Sequence, residues 1–213
     1  MSRFEDENIT IFDLNAKDYD HWFDRHPAIF ESEVAAISKV LPKAGEGLEI
    51  GAGTGRFAHR LDIRTVVEPS KEMASFAIKR GLEVIFARAE KLPFPGNEFD
   101  FALFVTVLCF LKSPEDALRE AVRVVKPSGR VIVAIIDLNS NLGRSKEGDP
   151  FFKTAKLLSA SEVLAMMKRS GLKDIKTVQT LFGSLDKIIE PQIPKVGDGD
   201  GGFVVISGQK GAV

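Results

Sequence analysis

Two apolar periods alternate along this chain. Runs that are apolar at almost every position occur at Leu48–Ile50, Thr65–Val67, Leu82–Ala87, Phe99–Val105 and Val131–Ile136. Short runs of this kind, rich in β-branched residues, predict strands of a parallel sheet buried on both faces. Between them, apolar residues recur every three or four positions. Phe30, Val34, Ile37 and Leu41 form one stripe, Met73, Phe76 and Ala77 a second, and Ala117, Leu118, Ala121, Val122 and Val125 a third. Each stripe predicts an amphipathic helix. Phe57 and Leu61 share a shorter helical face.

Boundary residues agree with these assignments. Pro27 and Pro42 bound the first helix, and Ser70 and Gly81 bound the second. Ser113-Pro114-Glu115-Asp116 opens the third with a cap, a proline in the first turn and acids beside the helix dipole. Ser159 and Glu162 form a capping box for a further helix that ends at Gly171. Asp174–Leu181 and Phe203–Lys210 predict a closing antiparallel pair at the sheet edge. Strands alternating with helices predict a doubly wound α/β domain, helices on both faces.

Four stretches stand outside this rhythm. Residues 1–16 are polar and predict a loose N-terminal arm. Tyr19 to Pro27 holds the only Tyr, the only Trp and two of the three His of the chain. Such a cluster either packs a helix on the core or covers a ligand. Residues 138–157 make a long Asn-, Ser-, Gly- and Lys-rich loop ending near Phe151-Phe152, and loops of that length are commonly functional. Gly197 to Gly202 has alternating Asp and Gly but lacks the spacing and terminal Glu of a calcium loop, so a flexible loop is expected.

The chemistry is concentrated at Glu49-Ile50-Gly51-Ala52-Gly53-Thr54-Gly55-Arg56. Glycines at alternate positions between a strand and a helix let a ligand approach bare backbone at a helix N-terminus. A dinucleotide fingerprint needs its third glycine at the sixth position. Here Arg56 occupies that position and the third glycine, Gly55, comes one residue early. That argues against an NAD-dependent oxidoreductase.

Acid-x-Gly-x-Gly-x-Gly resembles motif I of the class I S-adenosylmethionine-dependent methyltransferases. The likeness runs from about Tyr19 to Lys210 and is strongest from Leu48 to Gly129, where Lys126-Pro127-Ser128-Gly129 is close to that family's Lys-Pro-Gly-Gly turn. It is nearest the small-molecule branch containing the quinone-biosynthesis methyltransferases. The resemblance implies a Rossmann-like, seven-stranded sheet of order 3-2-1-4-5-7-6 with strand 7 antiparallel. It implies N-terminal helices with a candidate lid over residues 1–41 and a methyltransferase domain over residues 42–213, in one globular unit.

The resemblance also implies a cofactor site for S-adenosylmethionine, with S-adenosylhomocysteine as product. Glu49 corresponds to the acid that holds the cofactor's amino group, and Gly51, Ala52 and Gly53 to the turn beneath its methionine half. Glu68 ends the second strand 17 residues beyond Gly51. Its carboxylate offers two acceptors to the two ribose hydroxyls, with Pro69 beside it. Met73 aligns with a residue that packs on the adenosine. Arg88-Ala89-Glu90-Lys91-Leu92-Pro93-Phe94 matches the segment beside the adenine, but Arg88 stands where many members have Asp. A guanidinium has no acceptor, so the adenine amino group falls to Glu90 or to a backbone carbonyl, while Ala89 offers its N–H. Thr106 begins the loop beside the transferable methyl. Tyr19 and Trp22 match a lid helix.

No catalytic residue is assigned. A phenol or alcohol acceptor would need a base, for which His21 and His26 are the candidates, whereas a neutral amine or thiolate would not. The single cysteine, Cys109, reads as a small buried hydrophobe, and it excludes a multi-cysteine metal site. No metal is expected. A formal net charge of -1 over 213 residues gives no overall case for nucleic acid. No apolar run approaches a membrane span and no leader opens the chain, so a cytoplasmic protein is expected. The expected function is methyl transfer to an N, O, S or C nucleophile of a small molecule, the partner being that acceptor. The alternative is a domain that binds the cofactor as a sensor, without turnover.

Overall fold

The computed structural model describes residues 3–146 and 149–212. The apolar runs pair into one mixed sheet. β1 (Gly47–Ile50), β2 (Thr65–Val67), β3 (Glu83–Ile85), β4 (Phe99–Val105) and β5 (Val125–Ile136) are parallel. β6 (Lys173–Thr180), β7 (Lys195–Val196) and β8 (Phe203–Gln209) close it with antiparallel pairings. The order is β3-β2-β1-β4-β5-β8-β6-β7. The expected arrangement is present, with β8 as the antiparallel strand between β5 and β6. The short strand β7 extends it at the edge against Val178 and Gln179. Its signal is hidden because two prolines, Pro191 and Pro194, precede only two paired residues.

The helices are α1 (Arg3–Arg25), α2 (Pro27–Ser38), α3 (Arg56–Arg60), α4 (Lys71–Lys79), α5 (Pro114–Val124), α6 (Asn141–Ser145) and α7 (Ala160–Arg169). Alternate side chains of each strand serve opposite faces. Ala102 and Phe104 of β4 join Val131, Val133, Val204 and Ile206 under α5 and α7. Phe101, Leu103 and Val105 join Ile132, Ala134, Phe203 and Val205 under α2 and α3. Two cores sharing one sheet explain why these strands read as unbroken apolar runs. The Ser159–Glu162 capping box forms as expected. Ser113 makes no side-chain cap bond, leaving Pro114 and the acids to start α5.

The N-terminus departs from expectation. Residues 3–16 are not a loose arm but the first part of α1. Their polar side chains are used in tertiary bonds: Asn8 Nδ2 donates to the Phe110 carbonyl at 2.8 Å, and Asp13 Oδ1 accepts from Ser70 Oγ at 2.6 Å. No helix among the described residues is long and apolar enough to cross a membrane.

Candidate functional site

The sheet's carboxyl end is where open α/β domains place ligands, and the principal cavity lies there. Its floor is the glycine turn. Gly51 has φ 71°, and a Cβ built on it would stand 2.4 Å from Val107 Cγ2. The amides of Gly51 and Ala52 both donate to the Val67 carbonyl, tying the turn to β2. Glu68 completes the link. Its Oε2 accepts from the Gly53 amide at 2.8 Å and its Oε1 from the Ser70 amide at 2.9 Å. Glu68 is therefore a buried brace between the glycine turn and the start of α4, not an open strand end. Burial pushes its carboxyl up to about 7, against those two backbone bonds.

Glu49 is buried beneath the same turn. Burial raises its carboxyl to about 8 in spite of the Ala58 backbone bond, and Oε2 has no hydrogen-bond partner among the described residues. Glu90 lines the cavity beyond the end of β3, and its buried Oε1 likewise lacks a described partner. Thr106, at the end of β4, has φ 52°. A β-branched residue rarely adopts that conformation, and such strain concentrates at functional sites. Here the Thr106 amide is pinned to the Ala134 carbonyl at 2.8 Å, turning the chain across the cavity mouth.

The roof is aromatic and comes from segments outside the parallel core. Phe12 and Tyr19 are on α1, Phe110 follows β4, and Phe151 and Phe152 follow β5. Phe12 meets Phe110 edge-on at 4.9 Å, and Tyr19 lies 6.2 Å from Phe151. Tyr19 faces Gly53, where a Cβ would come within 3.6 Å of its ring. Burial, then the nearby charges of Glu33, Glu49 and Glu68, hold the Tyr19 phenol protonated above its ordinary range.

Asp20, the next residue, fastens this roof. One carboxylate oxygen or the other accepts from Arg56 Nε and Nη2 at 2.9 Å, and both accept from Arg80 Nη2 at 2.8 and 2.9 Å. Arg80 Nη1 also donates to the Thr54 carbonyl inside the glycine turn. Burial opposes ionisation of Asp20, but bonds from Arg56, Arg80 and Thr54 hold its carboxyl down at about 2. Arg56, which disqualified the dinucleotide reading, is thus the anchor of α1.

Most of the residues expected at the cofactor site come together. Tyr19, Gly51, Gly53, Glu68, Pro69, Met73, Ala89, Glu90 and Thr106 line the cavity. Trp22 does not; it stacks on His26 at 4.4 Å. Glu49 and Ala52 lie under the turn and do not line the cavity either. The proposed bases are misplaced: His21 is exposed, and His26 Nδ1 is 2.8 Å from the Trp22 carbonyl just before α2. Cys109 is buried and its thiol is pushed up to about 12 by desolvation. Among the described residues, no group of His, Cys, Asp and Glu is arranged to hold a metal.

Asn8, Ile9, Phe12 and Phe110 were not foreseen at the cavity. Ile9, Phe12, Ala16, Tyr19 and Phe23 recur at helical spacing and would have revealed the face of α1.

A family model described as a methyltransferase domain matches residues 48–133. An uncharacterised protein of Methanocaldococcus jannaschii is 47% identical over 206 residues, covering 95% of this chain and 100% of the relative. The crystal structure of a Thermotoga maritima protein, described as a SAM-dependent methyltransferase and possible histamine N-methyltransferase, superposes with a TM-score of 0.92. It is 44% identical, over 95% of this chain and 99% of that one. The ubiquinone/menaquinone biosynthesis C-methyltransferase UbiE of Pseudomonas fluorescens is 39% identical over 74 residues, 35% of this chain and 29% of the relative.

Proposed function

The chain belongs to the S-adenosylmethionine-dependent methyltransferases, and we propose that its cavity binds S-adenosylmethionine and positions a small-molecule N, O, S or C nucleophile for methylation. The observation that carries the cofactor assignment is Glu90 Oε1, a buried carboxylate oxygen without a described partner on a residue that lines the cavity beside the glycine turn. It would accept from the adenine amino group, while Glu49, beneath the turn, would act on the cofactor's ammonium through water. Gly51 and Gly53 would pass the methionine half, Glu68 would accept from the ribose hydroxyls with its remaining lone pairs, and Met73 and Ala89 would flank the adenine. When bound, the cofactor supplies a methyl group on a sulfonium, which is already an activated leaving group.

This chain's own residues then have to orient and exclude. Thr106 and Val107 fix the β4 loop, while Phe12, Tyr19, Phe110, Phe151 and Phe152 keep water from the site. Holding a nucleophile at near-attack distance contributes on the order of 7–11 kcal/mol. The relatives point two ways on the acceptor, one being described as a possible N-methyltransferase and one as a C-methyltransferase. The test is S-adenosylhomocysteine production across a panel of amines, phenols, thiols and quinols. Turnover with one class supports the enzyme, and binding without any turnover supports the sensor.

A further inference from the structure

We propose that Asn8 is a positioning residue that couples the two halves of the cavity: cofactor seated on the glycine turn sets, through α1 and Asn8, the aromatic wall against which the acceptor is held. This rests on the methyl-transfer reading above.

The coupling element is α1. Asn8 and Tyr19 both line the cavity from this helix. Eleven positions separate them, which is about three turns along one face and roughly 16 Å of helix. Near Tyr19, α1 is tied to the cofactor half. Asp20 holds Arg56 and Arg80. Asp13 Oδ1 accepts from Ser70 Oγ at 2.6 Å and from the Glu72 amide at 3.2 Å. The Ser70 amide is held in turn by Glu68, whose other oxygen holds the Gly53 amide. A ligand seated on Gly53 and Glu68 therefore bears on the same groups that fix α1.

At the far end of the helix, Asn8 makes the ties to the other half. Its side chain is 5% exposed. Nδ2 donates to the Phe110 carbonyl at 2.8 Å, and Oδ1 accepts from Thr154 Oγ1. One carboxamide thus joins three segments that are distant in sequence: α1, the loop after β4 and the segment after β5. The last two also bond to each other, the Lys156 amide donating to the Cys109 carbonyl at 2.8 Å. Their rings meet as well, with Phe110 and Phe152 5.7 Å apart. A buried carboxamide is costly to leave unpaired, so the three segments are favoured as one assembled wall. The chemistry needs an amide, since it requires a donor for Phe110 and an acceptor for Thr154 on one short side chain. Aspartate would keep the second bond and lose the first; leucine, of similar shape, would lose both.

A chain of contacts is a coupling only if its ends respond together. The experiment is amide hydrogen exchange with and without S-adenosylhomocysteine, read at Gly53 in the cofactor half and at Lys156 in the acceptor wall. Lys156 does not line the cavity, so slower exchange there is transmitted rather than direct. In the parent protein the ligand should slow Gly53 and also slow Lys156 at least about fivefold, the lower end of coupling between sites. In Asn8→Leu and in Thr154→Val, Gly53 should still be slowed, while the Lys156 effect should shrink to within about twofold. Asn8→Asp, which keeps the Thr154 bond, should recover part of it. Thr154→Val carries the test alone if Asn8→Leu does not fold. A Lys156 effect equal in the parent and both severed variants overturns the role of Asn8, and so does a parent in which Gly53 responds and Lys156 does not. Failure of S-adenosylhomocysteine to slow Gly53 in the parent is a separate result, and it would remove the methyl-transfer reading together with this one.

Discussion

Asp20→Ala is the most informative single perturbation of this architecture. The Asp20 side chain is 7% exposed, between Arg56 at 15% and Arg80 at 21%. Removing it deletes four charge-assisted hydrogen bonds and leaves two guanidinium groups facing a void. Breaking a buried ion pair from one side costs about 3–5 kcal/mol. Arg56 keeps Asp24 at 2.8 Å and Arg80 keeps the Thr54 carbonyl, so the lower figure, about 3 kcal/mol, applies. The loss should fall on α1, because Asp20 ties it to Arg56 at the start of α3 and to Arg80 at the end of α4. Denaturant unfolding measures the total, and hydrogen exchange locates it. Amides of α1 should lose protection while those of β4 keep theirs beyond the global change. S-adenosylhomocysteine should bind more weakly, since Tyr19 is the neighbouring residue. Linkage sets the pH window: the carboxyl is held at about 2 against an ordinary 3.8, so the tie is complete above about pH 4 and lost as pH falls through 2. Stability within about 0.5 kcal/mol of the parent, with α1 protection unchanged, would refute the anchor.

Glu68→Ala should cost about 1.5–3 kcal/mol of S-adenosylhomocysteine affinity by calorimetry, and it should also lower the melting temperature because the Gly53 and Ser70 amides lose their acceptor. Glu33 and Glu49 are raised to about 8 and Glu68 to about 7 from an ordinary 4.5. The ligand-free protein should therefore be most stable at acid pH, just above the range where Asp20 protonates, and lose stability as pH rises from about 4.5 to 8, which a pH series of melting curves reads directly. Ligand binding at pH 7 should release protons as Glu49 ionises against the incoming ammonium, seen as a dependence of calorimetric enthalpy on buffer ionisation heat. Cys109→Ser should keep turnover, because the buried thiol is held far from its reactive form.

The strands were legible in the sequence because both sheet faces are covered, so burial leaves continuous apolar runs, while their order followed from the family resemblance. The cavity floor was legible because its pattern is local: Gly51, Gly53 and Glu68 sit at strand ends with fixed spacing. The rest of the roof was not. Asn8, Phe12 and Phe110 meet only through tertiary packing, and no short motif links them. Trp22 illustrates the error that follows. It lies three residues from Tyr19, which is near one helical turn, yet α1 turns Tyr19 toward Gly53 and Trp22 onto His26. Arg56 was read only as an obstacle, since its partners Asp20 and Asp24 are more than 30 positions away in the chain.

The central claim is that this cavity holds an adenosyl methyl donor rather than a dinucleotide, and a thermal-shift titration tests it most directly. At a hundred times its dissociation constant, S-adenosylhomocysteine should stabilise the fold by about 2.7 kcal/mol. For a domain of this size, that is a rise of roughly 5–11 °C in melting temperature. NAD and NADP should produce none. A rise with NAD and none with S-adenosylhomocysteine would contradict the account.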